Sequence, residues 1–204
     1  MIKRPSGALR AILLEDDPLD AELITHRLQE ADPEVRVAWA SDSNTFRQAL
    51  RESTPHIVLS DRGVPDFNSL DAMRVVREKH PGCPFLLVSG SLDRVGVACL
   101  QSGAADYIPK SELFRLGDAI ARAVHLREPL KRLSARQWQV FRLLAAGAST
   151  KVIARRLHLS VKTVETHRTE AMKRLGLPDL ASLVRYALRL GIISAGDEDP
   201  MPAP

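Results

Sequence analysis

HIVLSDRGVPD, residues 56–66, decides the reading of this chain. A short apolar run, Ile57–Val58–Leu59, carries the backbone to the carboxylate of Asp61 and is then broken at Gly63 and Pro65. A buried parallel strand delivers a reactive group in this way to the carboxyl edge of a sheet, the edge at which open α/β folds bind ligands. Working outward, the acidic cluster Glu15–Asp16–Asp17 follows a second apolar run, Ala11–Leu14, while Ser89 and Lys110 end two more. Carboxylates, a hydroxyl and an ammonium gathered at one sheet edge suit a divalent cation and a phosphoryl group.

The segments between these runs have helical periodicity. PLDAELITHRLQEA (18–31) places Leu19, Leu23, Ile24 and Leu28 at helical spacing behind Pro18 as a first-turn residue. DSNTFRQALRES, SLDAMRVVREKH, SLDRVGVACLQSG and SELFRLGDAIARAVHL follow VRVAWA, HIVLSD, PFLLVSG and ADYIPK, with Ser111 as the expected cap of the last. Five strand–helix units between Ala11 and about Arg127 imply a doubly wound α/β domain, a parallel sheet with helices on both faces.

The 204 residues suffice for two domains, and 45% apolar with 26% charged residues describes an ordinary globular composition. No apolar run approaches the roughly 20 residues of a membrane span. The basic start MIKRPSG leads into an apolar stretch too short for a signal core, so no secretion signal is expected and the location is read as cytoplasmic. Cys83 and Cys99 form neither a disulfide framework nor a metal-ligand cluster and are expected as reduced thiols. Charge is unevenly placed. Residues 1–128 carry 16 Lys and Arg against 19 Asp and Glu, whereas residues 129–196 carry 13 against 3. One half is suited to small ions and the other to a polyanion.

In the first half the acid pair, Asp61, Ser89 before Gly90, and Tyr107 ahead of Lys110 occur in order at successive strand ends. Residues 1–127 thereby resemble the CheY-like receiver domain of two-component response regulators. The resemblance implies that Asp61 accepts a phosphoryl group from a histidine kinase or phosphotransfer protein. It implies Mg²⁺ as cofactor, held by Asp16, Asp61 and the Gly63 backbone carbonyl with Glu15 at or near the metal shell. Ser89 and Lys110 would hold phosphoryl oxygens, and Tyr107 would change rotamer on activation. The chemistry points the same way, because an anion attacks phosphorus only when repulsion is relieved by a cation and a fixed ammonium. Each residue alone has a plainer reading: Asp61 as a turn former, EDDP as a helix cap, Lys110 as a solvated charge. Their joint order decides for the acceptor. Arg62 and Ser69 depart from the family pattern, the first by placing a cation beside Asp61 and the second by standing where glycine is common.

Residues 133–193 read as four helices. Ser134 and Gln137 form a capping box ahead of Trp138, Val140, Phe141 and Leu144, and Gly147 stops that helix. Ser149 or Thr150 caps the next, with Val152, Ile153 and Leu157 inward. His158–Leu159 turn the chain to Ser160, which caps VKTVETHRTEAMKRL. Gly176 and Pro178 end this helix, and Asp179 caps the last. Two helices joined by a tight turn, the second basic and polar on one face, make a helix-turn-helix.

ARRLHLS, KTVETHR and KRLG make this half similar to the LuxR-type, FixJ-like DNA-binding domain. The resemblance assigns 150–157 as supporting helix and 161–175 as recognition helix in the major groove of promoter DNA. Lys162, Thr163, Glu165, Thr166, His167, Arg168 and Thr169 would face bases or phosphates. Lys151, Arg155, Arg156, Lys173 and Arg174 would lie along phosphates or the rim. Leu180, Leu183, Val184, Ala187 and Leu188 form a stripe expected mostly as core, and the family often uses this helix as its dimer contact on DNA. A dimer would set two recognition helices about 34 Å apart. Residues 128–132 form a short linker, and 194–204 are expected as a disordered tail. The expected protein is a two-component, DNA-binding transcription regulator and phosphoprotein. Its only catalysis would be phosphorylation and dephosphorylation of its own aspartate.

Overall fold

The computed structural model describes residues 8–193 apart from Asp66, and the chain divides into two compact units, Met1–Leu126 and Arg127–Pro204. The segment read as a tail, 194–204, and the basic start, 1–7, lie outside the described residues.

In the first unit, strands β1 (Arg10–Leu14) and β2 (Arg36–Ala40) pair in parallel, as do β1 and β3 (Ile57–Ser60). The hairpin β4 (Gly63–Val64) and β5 (Phe67–Asn68) follows, then β6 (Phe85–Ser89) and β7 (Asp106–Pro109). The parallel sheet has the order β2-β1-β3-β6-β7. Successive side chains on a strand face opposite ways, so each strand feeds two cores. Leu13, Leu59 and Leu86 pack with α1 (Pro18–Ala31) and α5 (Leu116–His125). Ile12, Val58 and Leu87 pack with α2 (Ser43–Glu52), α3 (Ser69–Lys79) and Cys99 of α4 (Arg94–Gln101). Both faces of a parallel sheet must be covered, which is why β1, β3 and β6 are nearly continuous in apolar residues.

Three details differ from the sequence reading. On α1 the buried residues are Ala21, Ile24 and Leu28, while Leu19 and Leu23 are exposed. The sheet meets the stripe through Ala21, a residue too small to stand out in a hydrophobic pattern. Ser111 does not cap α5; the chain passes from Lys110 through a 3-10 turn to Arg115 and enters the helix without a side-chain cap. The β4–β5 hairpin was not expected, since two-residue strands have no readable period.

The second unit opens with a 3-10 turn, Glu128–Arg132, whose Leu130 packs against the helical core. Helices α6 (Ala135–Ala145), α7 (Thr150–Leu157), α8 (Val161–Leu175) and α9 (Leu180–Arg189) enclose Val140, Phe141, Ile153, Val164, Leu183 and Ala187. The Ser134–Gln137 capping box forms, and Ser149, Ser160 and Asp179 cap the later helices. Trp138 stacks on Phe141 but stays half-buried, and Val152 is exposed because Ile153 and Ala154 occupy the inner face of α7. His158 adopts a left-handed conformation (φ 54°), which lets the α7–α8 turn be tight.

Candidate functional site

Backbone ladders aim the first site. The Glu15 N–H donates to the Ala40 carbonyl (3.0 Å), and the Asp61 N–H donates to the Leu14 carbonyl (2.8 Å). Both acids therefore continue the sheet by one residue and are fixed at its carboxyl edge. Trp39 adds a further tether, its indole Nε1 donating to the Glu15 carbonyl at 2.8 Å. One ligand oxygen from each of Glu15, Asp16 and Asp61 lies within 4.8 Å of the others. Asp17 is not part of this group. Its carboxylate accepts from the Leu19 and Asp20 N–H groups and caps α1.

Lys110, at the end of β7, enters the same space. Its Nζ is 2.8 Å from Glu15 Oε2, 3.7 Å from Asp61 Oδ1 and 2.5 Å from Asp20 Oδ2. Burial raises the pKa of the Glu15 carboxyl above its usual range, with Lys110 opposing and Asp61 reinforcing the rise. Burial also disfavours the charged Lys110, but its contacts with Asp20 and Glu15 more than offset this and hold it above the usual lysine value. Ser89 is buried at the end of β6, and the Tyr107 hydroxyl donates to its carbonyl at 3.2 Å. Gly63 opens the hairpin two residues beyond Asp61, paired with Asn68. Arg62 turns to Asp93, 3.8 Å away on the exposed side, and Ser69 is buried against Cys99 Sγ at 3.4 Å.

Glu15, Asp16, Asp61, Ser89 and Lys110 thus lie at the same sheet edge, while Tyr107 sits within β7 opposite Leu87 and reaches that edge through its hydroxyl. Asp20 and Trp39 were not foreseen. For Asp20 a signal existed, since it stands four residues after Asp16 in the first turn of α1. Trp39 had none, because its role depends on β2 lying beside β1.

The second site is the outer face of α8. Val164 and Ala171 face the core, leaving Lys162, Glu165, Thr166, Thr169 and Lys173 exposed. Arg168 and His167 are half-buried, with His167 Nδ1 shielded from solvent. Thr163 is half-buried and turns its hydroxyl to Ser160 Oγ at 2.8 Å. Lys151, Arg155 and Arg156 lie exposed on α7. Arg174 is exposed, as a rim charge would be. Its guanidinium donates inward, to the Arg132 carbonyl (2.8 Å) and to Gln137 Oε1 (2.9 Å). The buried Gln137 also donates to Glu170 at 2.6 Å, so a cap residue of α6 doubles as the joint to α8. Among the described residues no helix is long and apolar enough to cross a membrane.

Residues 11–121 match the response regulator receiver domain, and residues 131–187 match the bacterial regulatory proteins of the luxR family. The chain belongs to the LuxR-type two-component response regulators. This response regulator is similar to the transcriptional regulatory protein MctR of Rhizobium johnstonii, 28% identical over 95% of this chain and 99% of that protein. It is also similar to the transcriptional regulatory protein FixJ of Bradyrhizobium diazoefficiens, 27% identical over 89% and 96% respectively. Its fold resembles that of promoter-bound RcsB from Salmonella enterica serovar Typhimurium, with a TM-score of 0.50 at 22% identity, covering 87% of this chain and 98% of RcsB. Receivers of this family bind Mg²⁺ at an acidic pocket, and Glu15, Asp16 and Asp61 form an acidic cluster here.

Proposed function

We propose that this response regulator is phosphorylated on Asp61 by a histidine kinase or phosphotransfer protein, and that the modification controls dimerisation and promoter binding through α8. In this reading residues 1–127 take the phosphoryl group, residues 133–193 bind DNA, and 128–132 join them. The observation that carries it is the convergence of Glu15, Asp16, Asp61 and Lys110 on one space at the sheet edge.

The donor set fits Mg²⁺. It is all oxygen, the choice of a hard cation, and Asp61 Oδ1 is buried without a hydrogen-bond partner. Glu15, Asp16, Asp61 and the Gly63 carbonyl would hold the ion, which supplies charge neutralisation between carboxylate and phosphoryl oxygens. The chain's own residues do the rest. An Asp61 carboxylate oxygen attacks phosphorus, forming the acyl phosphate as the P–N bond to the donor histidine breaks. Lys110 donates to a phosphoryl oxygen and offsets its charge. The Ser89 hydroxyl accompanies a second oxygen, and Tyr107, already bonded to the Ser89 backbone, follows that movement.

On the other unit, exposed Lys162, Glu165, Thr166 and Thr169 and half-buried Arg168 contact the major groove, with Thr163 and His167 at its margin. Lys151, Arg155, Arg156 and Lys173 lie along phosphates. Leu180 and Leu188, both exposed on α9, supply the contact for a second copy.

The test is promoter-fragment binding by fluorescence anisotropy at fixed salt, with and without beryllofluoride and Mg²⁺. Affinity is expected to rise for the natural chain and to stay unchanged for Asp61→Asn. Equal affinity in every state would overturn the phosphorylation switch.

A further inference from the structure

The shortest contact of Lys110 is with a carboxylate outside the Glu15–Asp16–Asp61 cluster. Asp20 Oδ2 lies 2.5 Å from Nζ, against 3.7 Å for Asp61 Oδ1. Asp20 belongs to the first turn of α1, and its N–H donates to Asp17 Oδ1, the cap of that helix. The start of α1 is pinned, and Asp20 with it. An acidic side chain at this position is also favoured by the positive end of the helix dipole.

We propose that Asp20 is a positioning residue that holds Lys110 away from Asp61 and competes with an incoming phosphoryl group for it. The inference rests on the reading of Asp61 as phosphoacceptor. An ammonium has three donors and no acceptor, on a flexible four-carbon stem. In this structure its close contacts go to Asp20 and Glu15. A phosphoryl group on Asp61 needs a share of those donors and brings more negative charge than a carboxylate.

The two present partners are not equal. The Glu15 side chain is 1% exposed and that of Asp20 is 37% exposed. Solvent screens the Asp20 contact, while the buried Glu15 depends on its counter-ion. Asp20 is therefore the partner that Lys110 releases. Its strength sets how readily the lysine transfers to the phosphoryl group, and so how tightly the pocket holds one.

The experiment is a titration of the full chain with beryllofluoride at saturating Mg²⁺, followed by ¹⁹F NMR. Asp20→Asn, which removes the competitor, is expected to bind roughly five-fold tighter, the worth of about 1 kcal/mol for a partly exposed ion pair. Asp20→Glu, which keeps the carboxylate, should return affinity toward that of the natural chain. Glu22→Gln removes the same charge from an exposed position of the same helix and should leave affinity unchanged. Unchanged affinity in Asp20→Asn would overturn the proposal. So would an equal gain in Glu22→Gln, which would make the effect one of bulk charge. A purely structural role for Asp20 would lower Tm with no gain in affinity, which is also an overturning result. If the natural chain bound no beryllofluoride, as is expected only of Asp61→Asn, the phosphoacceptor reading itself would fall.

Discussion

Arg174, in the last turn of α8, donates to the side-chain oxygen of Gln137 in the first turn of α6 at 2.9 Å. The same oxygen accepts from the Ser134 N–H at 2.9 Å, and the Gln137 amide nitrogen donates to Glu170. One buried amide thus closes the cap of α6 and binds the helix assigned to DNA at two positions. A buried polar group of this kind specifies a geometry as long as every bond is made.

Gln137→Ala removes the joint and leaves Glu170 and Arg174 without it. The expected destabilisation of the second unit is about 1–3 kcal/mol, measured by urea unfolding followed through Trp138. DNA affinity should fall as well, although Gln137 itself is buried.

Lys110→Ala strips the buried Glu15 of its counter-ion. Melts of the first unit in chelator are expected to show a loss of about 1–3 kcal/mol, below the range for fully buried pairs because Lys110 is partly exposed. Saturating Mg²⁺ should restore much of the difference, since the cation neutralises the acids that Lys110 no longer pairs and so stabilises the variant more than the natural chain. A deficit of the same size with and without Mg²⁺ would show that the lysine acts through packing alone.

Lys151→Ala and Arg155→Ala should weaken binding to every DNA sequence alike and each reduce the slope of log affinity against log salt by about one. Glu165→Gln is expected to behave differently. It should strengthen non-specific binding while relaxing preference at one base pair, because a carboxylate near DNA is tolerated where it accepts from cytosine N4. Binding to a panel of single-base variants at two salt concentrations separates the two classes.

Leu188→Glu alters an exposed position of α9 and should leave Tm nearly unchanged. Binding to a two-half-site fragment is expected to fall well below that of the unaltered chain, while binding to a single half-site stays the same. Anisotropy on the two fragments checks it.

The pKa of Asp179, the cap of α9, is lowered chiefly by its hydrogen bond from the Ser182 N–H. A depressed folded-state pKa contributes stability above the unfolded value of 3.8, and that contribution is lost as pH falls through the folded value. Asn also caps helices but does not titrate in this range. Asp179→Asn should therefore match the natural chain near neutrality and lose less Tm on acidification below about pH 4.

Much of this was legible in the chain itself. Apolar runs ending at Glu15, Asp61, Ser89 and Lys110 placed those groups at one sheet edge, because parallel strands joined by helical crossovers all end on the same side. Ser134, Ser160 and Asp179 marked helix starts, since capping is a local bond within four residues. These features depend on short-range periodicity and backbone hydrogen bonding, which sequence alone determines. The partners that cross between elements were decided only by packing. Whether α1 turns Ala21 or Leu19 to the sheet, whether Arg174 reaches Gln137, and whether Asp20 reaches Lys110 all depend on how whole helices seat against their neighbours. Residues 90 positions apart meet at that pair, and no local pattern encodes the distance between them.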